Sequence, residues 1–306
     1  MPDAIEAMRE AFTALARGEA EVPPRLSLDV GQGVLLVMPA YLGSIDAAGA
    51  KVVSVHPDNR RLGLPALHAV VLLIDPATGV PAALMDGASL TALRTGAAGG
   101  LATALLARED AHVVALFGAG VQARSQLEAV RCVRAVDEVR IVSRTRASAE
   151  GLAGELRGCR VRVMDDAAEA LSGADVVIAA TSSATPVFPG ARVTPGTHVT
   201  GVGSYTPAMQ EVDADLVTRA VVIVDQREAA LREAGDLIQA VRSGRWRAEE
   251  IHAEIGEIAA GTKPGRTSSE QITFFKSVGV AAQDMALARR VVDAAARLGL
   301  GSEADL

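Results

Sequence analysis

Residues 116–123, LFGAGVQA, place a glycine-rich turn directly after an apolar run and before a helical segment. Gly118 permits the tight turn, Gly120 allows a pyrophosphate to approach the backbone, and Ala123 lets the helix pack closely against the strand. The first N–H groups of such a helix face the phosphates, and the helix dipole favours their negative charge. The segment therefore predicts a dinucleotide-binding turn, against the alternative of a glycine-rich turn that binds nothing.

The sequence around this turn alternates between short β-branched runs and helical stretches from His112 onward. The runs are HVVALFG, EVRIVS, CRVRVM, ADVVIAA, THVTGVG and AVVIVD, and the intervening helices are predicted over 121–134, 146–157 and 166–172. Such alternation with nearly continuous apolar strands indicates a parallel sheet covered on both faces. The turn thus lies in the context that a Rossmann-type dinucleotide-binding domain requires.

The first third of the chain has a different pattern. A helix over 2–17 and one over 88–107 flank four runs with strand character, separated by turn signals. These runs are Val34–Met38, Ala50–Val55, Ala69–Ile74 and Val80–Met85. They predict a mostly antiparallel sheet with a helix, and a further helix is predicted over 279–298.

A chain of 306 residues exceeds the usual size of one hydrophobic core. We therefore predict an α/β protein of two domains, in which a Rossmann-type domain is inserted into an α+β domain. The predicted dinucleotide-binding domain spans residues 111–278, and the second domain comprises residues 1–110 plus 279–306.

Net charge and composition exclude several functional classes. The net charge of −7 argues against nucleic-acid binding, and no apolar run is long enough to span a membrane. The N-terminal segment lacks a signal-peptide pattern, and Cys132 and Cys159 are expected to be buried side chains rather than a disulfide. We therefore expect a cytoplasmic protein.

The five histidines show no metal-ligand spacing, so no metal is expected. His56, in the turn VHPDN, is interpreted either as a catalytic residue or as a structural residue that caps the turn.

The end of the second predicted strand of the Rossmann-type domain bears on the choice of dinucleotide. An NAD site places Asp or Glu there to bind the ribose hydroxyls, whereas this chain has Ser143, Arg144, Thr145 and Arg146. Arginine and hydroxyl groups suit a 2′-phosphate. The segment favours NADP(H), with NAD(H) as the alternative cofactor, unless these arginines are simply solvated.

Three cations are candidates for a substrate anion. Lys51 lies in an apolar predicted strand, where it is either a surface residue or an inward residue that requires an anion. Arg25 follows two prolines, and Arg94 is taken to begin a helix beside Thr95. Each arginine alone is interpreted as a solvated side chain, but together with Lys51 they suit a substrate that bears an α-carboxylate.

Several segments together resemble the ornithine cyclodeaminase/mu-crystallin family. They are PPR (23–25), LVMPAY (36–41), GAKVVSVHPDN (49–59), MDGASLTALRTGAAGG (85–100), FGAGVQA, GVGSYTPAMQEVD (201–213) and TFFKSVGVAAQD (273–284). The resemblance runs nearly end to end. It implies a dinucleotide-binding domain inserted into a substrate and dimerisation domain that the C-terminal helix completes, and it implies a homodimer whose sheets join across the interface.

The resemblance also assigns residues to roles. It implies that Arg25, Lys51 and Arg94 hold the substrate carboxylate and that Met38 lines the substrate pocket. We further predict Lys51 as the catalytic residue. With the motif residues, the predicted cofactor contacts are Arg94, Thr95, Gly118, Ala119, Gly120, Val121, Gln122, Ser143, Arg144, Thr145, Arg146, Thr181, Ser182, Val202, Gly203, Ser204, Ser277 and Val278.

Two departures from the family pattern affect the expected reaction. Ornithine cyclodeaminases have an aspartate where this chain has Tyr205, and a tyrosine with a reference pKa near 10 is a poor general base at neutral pH. The family's Pro-Ser/Thr-His-Gln segment is also altered, to Pro65-Ala66-Leu67-His68.

We therefore predict an NADPH-dependent ketimine reductase that converts Δ1-pyrroline-2-carboxylate or Δ1-piperideine-2-carboxylate to proline or pipecolate. The alternatives are an ornithine cyclodeaminase, an L-alanine dehydrogenase-like enzyme, and a non-catalytic, crystallin-like NADPH-binding protein.

Overall fold

The computed structural model describes residues 1–304, apart from the side chain of Arg60. The chain divides into two compact units. The first comprises Met1–Ile5 and Thr95–Gly279, and the second comprises Glu6–Arg94 and the residues from Val280 onward. The predicted domain limits at residues 110 and 279 stay a prediction.

The structure contains strands and helices in the following chain order. The strands are β1 (Ala20–Glu21), β2 (Leu26–Asp29), β3 (Val34–Leu42), β4 (Ala47–Val55), β5 (Leu67–Ile74), β6 (Pro81–Asp86), β7 (Val113–Phe117), β8 (Glu138–Val142), β9 (Arg160–Val163), β10 (Val176–Ala179), β11 (His198–Gly201), β12 (Ala220–Val224), β13 (Ala253–Glu254) and β14 (Ile272–Lys276). The helices are α1 (Pro2–Ala16), α2 (Gly87–Leu106), α3 (Val121–Val133), α4 (Arg146–Glu155), α5 (Ala167–Leu171), α6 (Ala214–Arg219), α7 (Arg227–Glu233), α8 (Gly235–Arg242), α9 (Ile255–Ala259) and α10 (Ala281–Leu298).

The second unit is built on an antiparallel sheet. Strands β3, β4, β5 and β6 are neighbours in chain order, and both β1 and β2 pair with β3. Helix α10 packs against β3, β4 and β5, and the residues of its first eight positions, 281–288, are all buried. The sheet thus comes from the first part of the chain, and the helix that covers it comes from the last part.

The first unit is built on a parallel sheet with the strand order β13-β12-β14-β11-β10-β7-β8-β9. The chain runs outward from β7 through β8 to β9 and then returns to β10 on the other side of β7. Strand order therefore reverses between β7 and β10, and in open parallel sheets ligands bind at such a switch point, beyond the carboxyl ends of the strands.

Helix α3, which follows β7, packs closely against the part of α2 that belongs to the first unit. A Cβ atom added at Gly96 would lie 2.5 Å from the carbonyl oxygen of Ser125 on α3, and one at Gly100 would lie 2.8 Å from Cβ of Ala129. The two helices approach this closely because α2 carries glycines where they meet. This contact helps to fix the helix whose first turn follows the glycine-rich motif.

The predicted α/β fold class is confirmed, with one parallel and one antiparallel sheet. The sequence pattern did not predict β1, β2, β13 or β14, or helices α6–α9. Strand β14 is fully buried between β11 and β12, but its sequence ITFFK is short and ends in a charge, so its hydrophobic pattern did not indicate a strand.

The two cysteines are more exposed than the sequence indicated. The expectation that both are buried was wrong, because Cys132 is exposed and Cys159 is half-buried; neither forms a disulfide. Among the described residues, no helix is long and apolar enough to span a membrane.

We predict opposite effects of adding a methyl group at two helical glycines. Gly96→Ala should lower the free energy of unfolding by about 1–3 kcal/mol, because its Cβ would overlap the backbone of Ser125. Gly151→Ala, on an exposed face of α4 with nothing within 4 Å of the added Cβ, should raise it by about 0.5–1 kcal/mol. Urea unfolding of the two variants measures both effects. A stabilising Gly96→Ala would contradict the close packing of α2 and α3.

Candidate active site

Lys51 of β4 is a buried cation in the second unit, with 2% of its surface exposed. Its Nζ lies 2.9 Å from Oδ1 and 2.8 Å from Oδ2 of Asp284, a fully buried carboxylate in the first turn of α10. The surface interpretation of Lys51 is therefore wrong. An inward lysine requires an anion, and the structure supplies one from the protein itself.

Arg94 contacts the same carboxylate from α2. Its Nε lies 3.3 Å from Oδ1 of Asp284, and its Nη1 donates to Oε1 of Gln283 at 3.1 Å. Gln283 is held in turn, because the same oxygen accepts from the backbone N–H of Val280 at 2.9 Å. Arg94 is buried and lies inside α2, so the expectations that it begins a helix or is solvated were wrong.

Burial and the neighbouring charges together set the pKa of Lys51. Burial lowers the pKa of Lys51 to about 8; Asp284 opposes this shift, while the positive charges of Arg94 and Arg25 add to it. The structure thus brings Arg25, Lys51 and Arg94 into one electrostatic cluster, which we call the cation cluster. Met38 lies directly opposite Lys51 in the β3–β4 register and is also buried.

This arrangement has two chemical capacities. Lys51 and Arg94 are two cations that share the single carboxylate of Asp284, so these three side chains keep a net positive charge in a buried setting. Such a site attracts a small anion such as a carboxylate. In addition, an ammonium group with a pKa near 8 is able to donate a proton close to neutral pH. The binding and catalytic roles of these residues stay predictions.

In the first unit, the glycine-rich turn has the geometry that the motif predicts. Gly118 has a φ of 108°, and an added Cβ there would collide with the carbonyl oxygen of Ala180, which follows β10. Gly120 is the N-cap of α3, provides no side-chain cap, and has nothing within 4 Å of an added Cβ. Gly120 thus places no side chain in front of the first N–H groups of α3, which leaves space for a pyrophosphate to approach them.

The other residues predicted around this turn have distinct settings. Ala119 is half-buried and its carbonyl accepts from Arg124 Nη1 at 2.6 Å. Val121 is exposed at the start of α3, and Gln122 has a buried side-chain oxygen without a hydrogen-bond partner in the described structure. Thr95 is buried in α2, and its carbonyl accepts from Gln126 at 2.7 Å.

The two arginines after β8 differ in their contacts. Arg146 pairs with Glu150 at 2.9 Å and with Asp165 at 2.8 Å. Arg144 is exposed and has no ion pair within residues 1–304, and no carboxylate occurs at positions 143–146. Thr145, the N-cap of α4, forms a 2.6 Å hydroxyl contact with Ser148, and Ser143 is half-buried. Arg144 is therefore the more available of the two cations.

Buried carboxylates hold the loops that follow three strands of the parallel sheet. Glu211 accepts hydrogen bonds from Thr181 after β10 and from Gly203 and Ser204 after β11. Asp225 accepts from the Ser277 hydroxyl at 2.8 Å and from the backbone N–H of Val278 at 2.8 Å. Several residues that were predicted to contact a cofactor thus donate hydrogen bonds to carboxylates of the protein itself. The neighbouring Ser182 is exposed, and Val202 is half-buried.

Sequence reasoning missed the polar partners in both units, namely Glu211, Asp225, Asp236, Gln283 and Asp284. Each lies in or beside an apolar segment, such as VVIVD or VAAQD, where an acidic or amide side chain is costly unless donors surround it. The position of these polar residues in or beside apolar segments was the signal in the sequence that could have identified them. Within residues 1–304, no three His, Cys, Asp or Glu side chains are grouped to hold a metal ion.

Comparisons with known proteins identify relatives over nearly the whole chain. The sequence profile of the ornithine cyclodeaminase/mu-crystallin family matches residues 1–298. A Δ1-pyrroline-2-carboxylate reductase of Bacillus cereus is 40% identical over 302 residues, which cover 95% of this chain and 93% of the relative.

Two solved structures are similar to this chain over nearly its whole length. That of Thermococcus litoralis Δ1-pyrroline-2-carboxylate reductase in complex with NADH and L-proline has a TM-score of 0.94 and 39% identity, covering 98% of this chain and 95% of that one. An archaeal alanine dehydrogenase dimer with bound NAD has a TM-score of 0.95 and 39% identity, covering 100% of this chain and 95% of that one.

Proposed function

The chain belongs to the ornithine cyclodeaminase/mu-crystallin family, and we propose that it reduces a cyclic ketimine carboxylate with a nicotinamide dinucleotide. The substrate is Δ1-pyrroline-2-carboxylate or Δ1-piperideine-2-carboxylate, and the product is L-proline or L-pipecolate. In this proposal the predicted domain 111–278 binds the dinucleotide, and residues 1–110 plus 279–306 bind the substrate.

The observation that carries the proposal is the cation cluster. Lys51 and Arg94 are buried, share one carboxylate and keep a net positive charge, which suits the carboxylate of an imino acid. A carboxylate held beside them places the adjacent imine carbon at a fixed position. Orientation of this kind contributes much of the rate of a bimolecular reaction.

The reaction requires one hydride and one proton. When bound, the reduced nicotinamide supplies the hydride to the imine carbon. Lys51 supplies a proton to the imine nitrogen, or balances it through water, because its ammonium group has a pKa near 8. The C=N bond becomes a C–N single bond, and Arg25 and Arg94, which stay protonated, hold the carboxylate throughout.

Tyr205 supports imine reduction over deaminating cyclisation. It occupies the position of the cyclodeaminase aspartate and is 43% exposed, so this loop presents a phenol to solvent where that reaction needs a carboxylate base. L-Alanine dehydrogenase activity is a second candidate, favoured by the 39% identity and TM-score of 0.95 to the archaeal alanine dehydrogenase.

We also propose NADP(H) as the preferred cofactor and a homodimer as the assembly. The exposed Arg144, with no carboxylate at positions 143–146, supports binding of a 2′-phosphate. We take exposed large apolar side chains on strands of the antiparallel sheet as support for the dimer, because apolar surface of this kind becomes buried when two subunits pair. These side chains are Leu26, Leu28, Val70 and Leu84.

A direct assay tests the proposed reaction. The purified protein is mixed with NADPH or NADH and with each of the two imines, and oxidation of the cofactor is followed by absorbance. We expect turnover with at least one imine and a large loss of kcat/KM in Arg94→Ala. No turnover with either imine would overturn the proposal, and turnover only with pyruvate and ammonia would favour the alanine dehydrogenase.

We predict that the rate of imine reduction falls as the pH rises above about 8. The pKa of Lys51 is lowered to about 8, so its ammonium is protonated below this pH and loses its charge and proton above it. The pH profile of kcat/KM measures this decline. Lys51→Arg is the control, because arginine stays protonated throughout. If the same decline persists in that variant, the titrating group is not Lys51.

We predict that Arg144→Ala raises the KM for NADPH by about tenfold, the effect of losing a charged hydrogen bond, and leaves the KM for NADH nearly unchanged. Arg146→Ala is the matched comparison and should have a smaller effect, because Arg146 is engaged by Glu150 and Asp165. Steady-state kinetics with both cofactors measures the difference. A wild-type preference for NADH that Arg144→Ala does not alter would contradict the proposed role of Arg144.

A further inference from the structure

Glu211 is a fully buried carboxylate that joins two loops of the first unit. Its Oε1 accepts from the backbone N–H of Thr181 at 2.6 Å and from the Thr181 hydroxyl at 2.8 Å. Its Oε2 accepts from the backbone N–H of Gly203 at 2.6 Å and of Ser204 at 3.2 Å. Thr181 follows β10 and the other two residues follow β11, so one side chain ties together the carboxyl ends of two neighbouring strands.

The two loops also touch each other directly at Gly203. A Cβ atom added there would collide with the carbonyl oxygen of Thr181 and would lie 2.5 Å from Oε1 of Glu211. Only a glycine allows the backbone of the second loop to come this close to the first. The two loops are therefore joined both by this close backbone approach and by the carboxylate of Glu211.

Glu211 is itself fixed by a second buried carboxylate. Oδ1 of Asp236 accepts from the backbone N–H of Glu211 at 2.6 Å and of Val212 at 3.0 Å. The Nζ of Lys276, at the end of β14, lies 2.9 Å from Oδ2 of Asp236, and both side chains are fully buried. The chain of contacts therefore runs from the end of β14 to the loops after β10 and β11.

The backbone N–H donors around Glu211 favour its ionised form. All four contacts are donors that point at its two oxygens, and a protonated carboxyl group would place its own O–H against an N–H. Burial raises the pKa of Glu211 and the charge of Asp236 adds to this shift, while the charge of Lys276 and the donors of Thr181 act in the opposite direction. Such a fully surrounded carboxylate is rigid, because removing any one donor leaves a buried charge less satisfied.

We infer that Glu211 is a positioning residue for the bound dinucleotide, because it holds the loops after β10 and β11 in one fixed arrangement. Ligands of open parallel sheets bind beyond the carboxyl ends of the strands, which is where these loops lie. The inference rests on the proposed function for the identity of the ligand. It adds a residue that reaches the cofactor only through Thr181, Gly203 and Ser204.

The test compares Glu211→Gln with a matched control, Asp175→Asn, at the amino ends of the strands of the same sheet. Asp175 is also a buried carboxylate, and it accepts from the backbone N–H groups of His112 at 3.0 Å and Val113 at 2.9 Å, at the amino end of β7. The dissociation constants of NADPH and NADH are measured by nicotinamide fluorescence, without substrate, and the melting temperature of each variant is measured in parallel.

We expect Glu211→Gln to weaken dinucleotide binding by about tenfold or more, the effect of losing a hydrogen bond to a charged group. Asp175→Asn should lower the melting temperature but leave the dissociation constant within about twofold. The donors of Asp175 lie at the amino ends of the strands, whereas ligands bind beyond the carboxyl ends. If Glu211→Gln binds as the wild type does, or if both variants lose binding equally, the positioning role is overturned.

A second variant covers the case in which Glu211→Gln does not fold. Glu211→Asp keeps the charge but is one methylene shorter and does not reach both loops, so it should weaken binding by a smaller factor. Wild-type affinity in that variant would also overturn the inference. A wild-type protein that binds neither NADPH nor NADH would instead overturn the proposed function, and with it the inference.

Discussion

A carboxylate buried in protein is costly unless donors surround it, and in this molecule that constraint determines how distant segments are held. In the second unit, Asp284 of α10 meets Lys51 and Arg94 from β4 and α2. In the first unit, Glu211 and Asp225 gather the loops that follow three strands of the parallel sheet. In each case the acidic residue is the centre, and the residues expected to bind ligands are arranged around it.

The features predicted correctly from sequence are local ones. The conformation of the glycine-rich turn at Gly118 and Gly120 depends on a few adjacent residues, and so does the alternation of strands with helices. Their physical causes act over a few residues, through backbone torsion and hydrophobic periodicity. Lys51 belongs partly to this group, because an apolar strand around a lysine already indicated either a surface position or an anionic partner.

What the sequence did not predict depends on partners that are far apart in the chain. Asp284 has no local signature that connects it with Lys51, and Glu211 has none that connects it with Thr181. Strand β14 is central to the parallel sheet, yet its five residues gave no recognisable pattern, because the run is short and ends in Lys276, whose charge is balanced by Asp236. Whether a buried charge has a partner from a distant part of the chain is a property of the folded protein. No local pattern in a single sequence indicates it.

The ion pair between Lys51 and Asp284 has a consequence for the order of events on the ribosome. The two residues are 233 positions apart, so β4 is synthesised long before its partner in α10. At roughly 5–20 residues per second, the lysine waits on the order of 10–50 s for its carboxylate. During that interval the strands and loops of the first unit, which end at Gly279, emerge ahead of Asp284. Strands β7 to β13 are therefore synthesised while Lys51 is still without the anion that allows it to be buried.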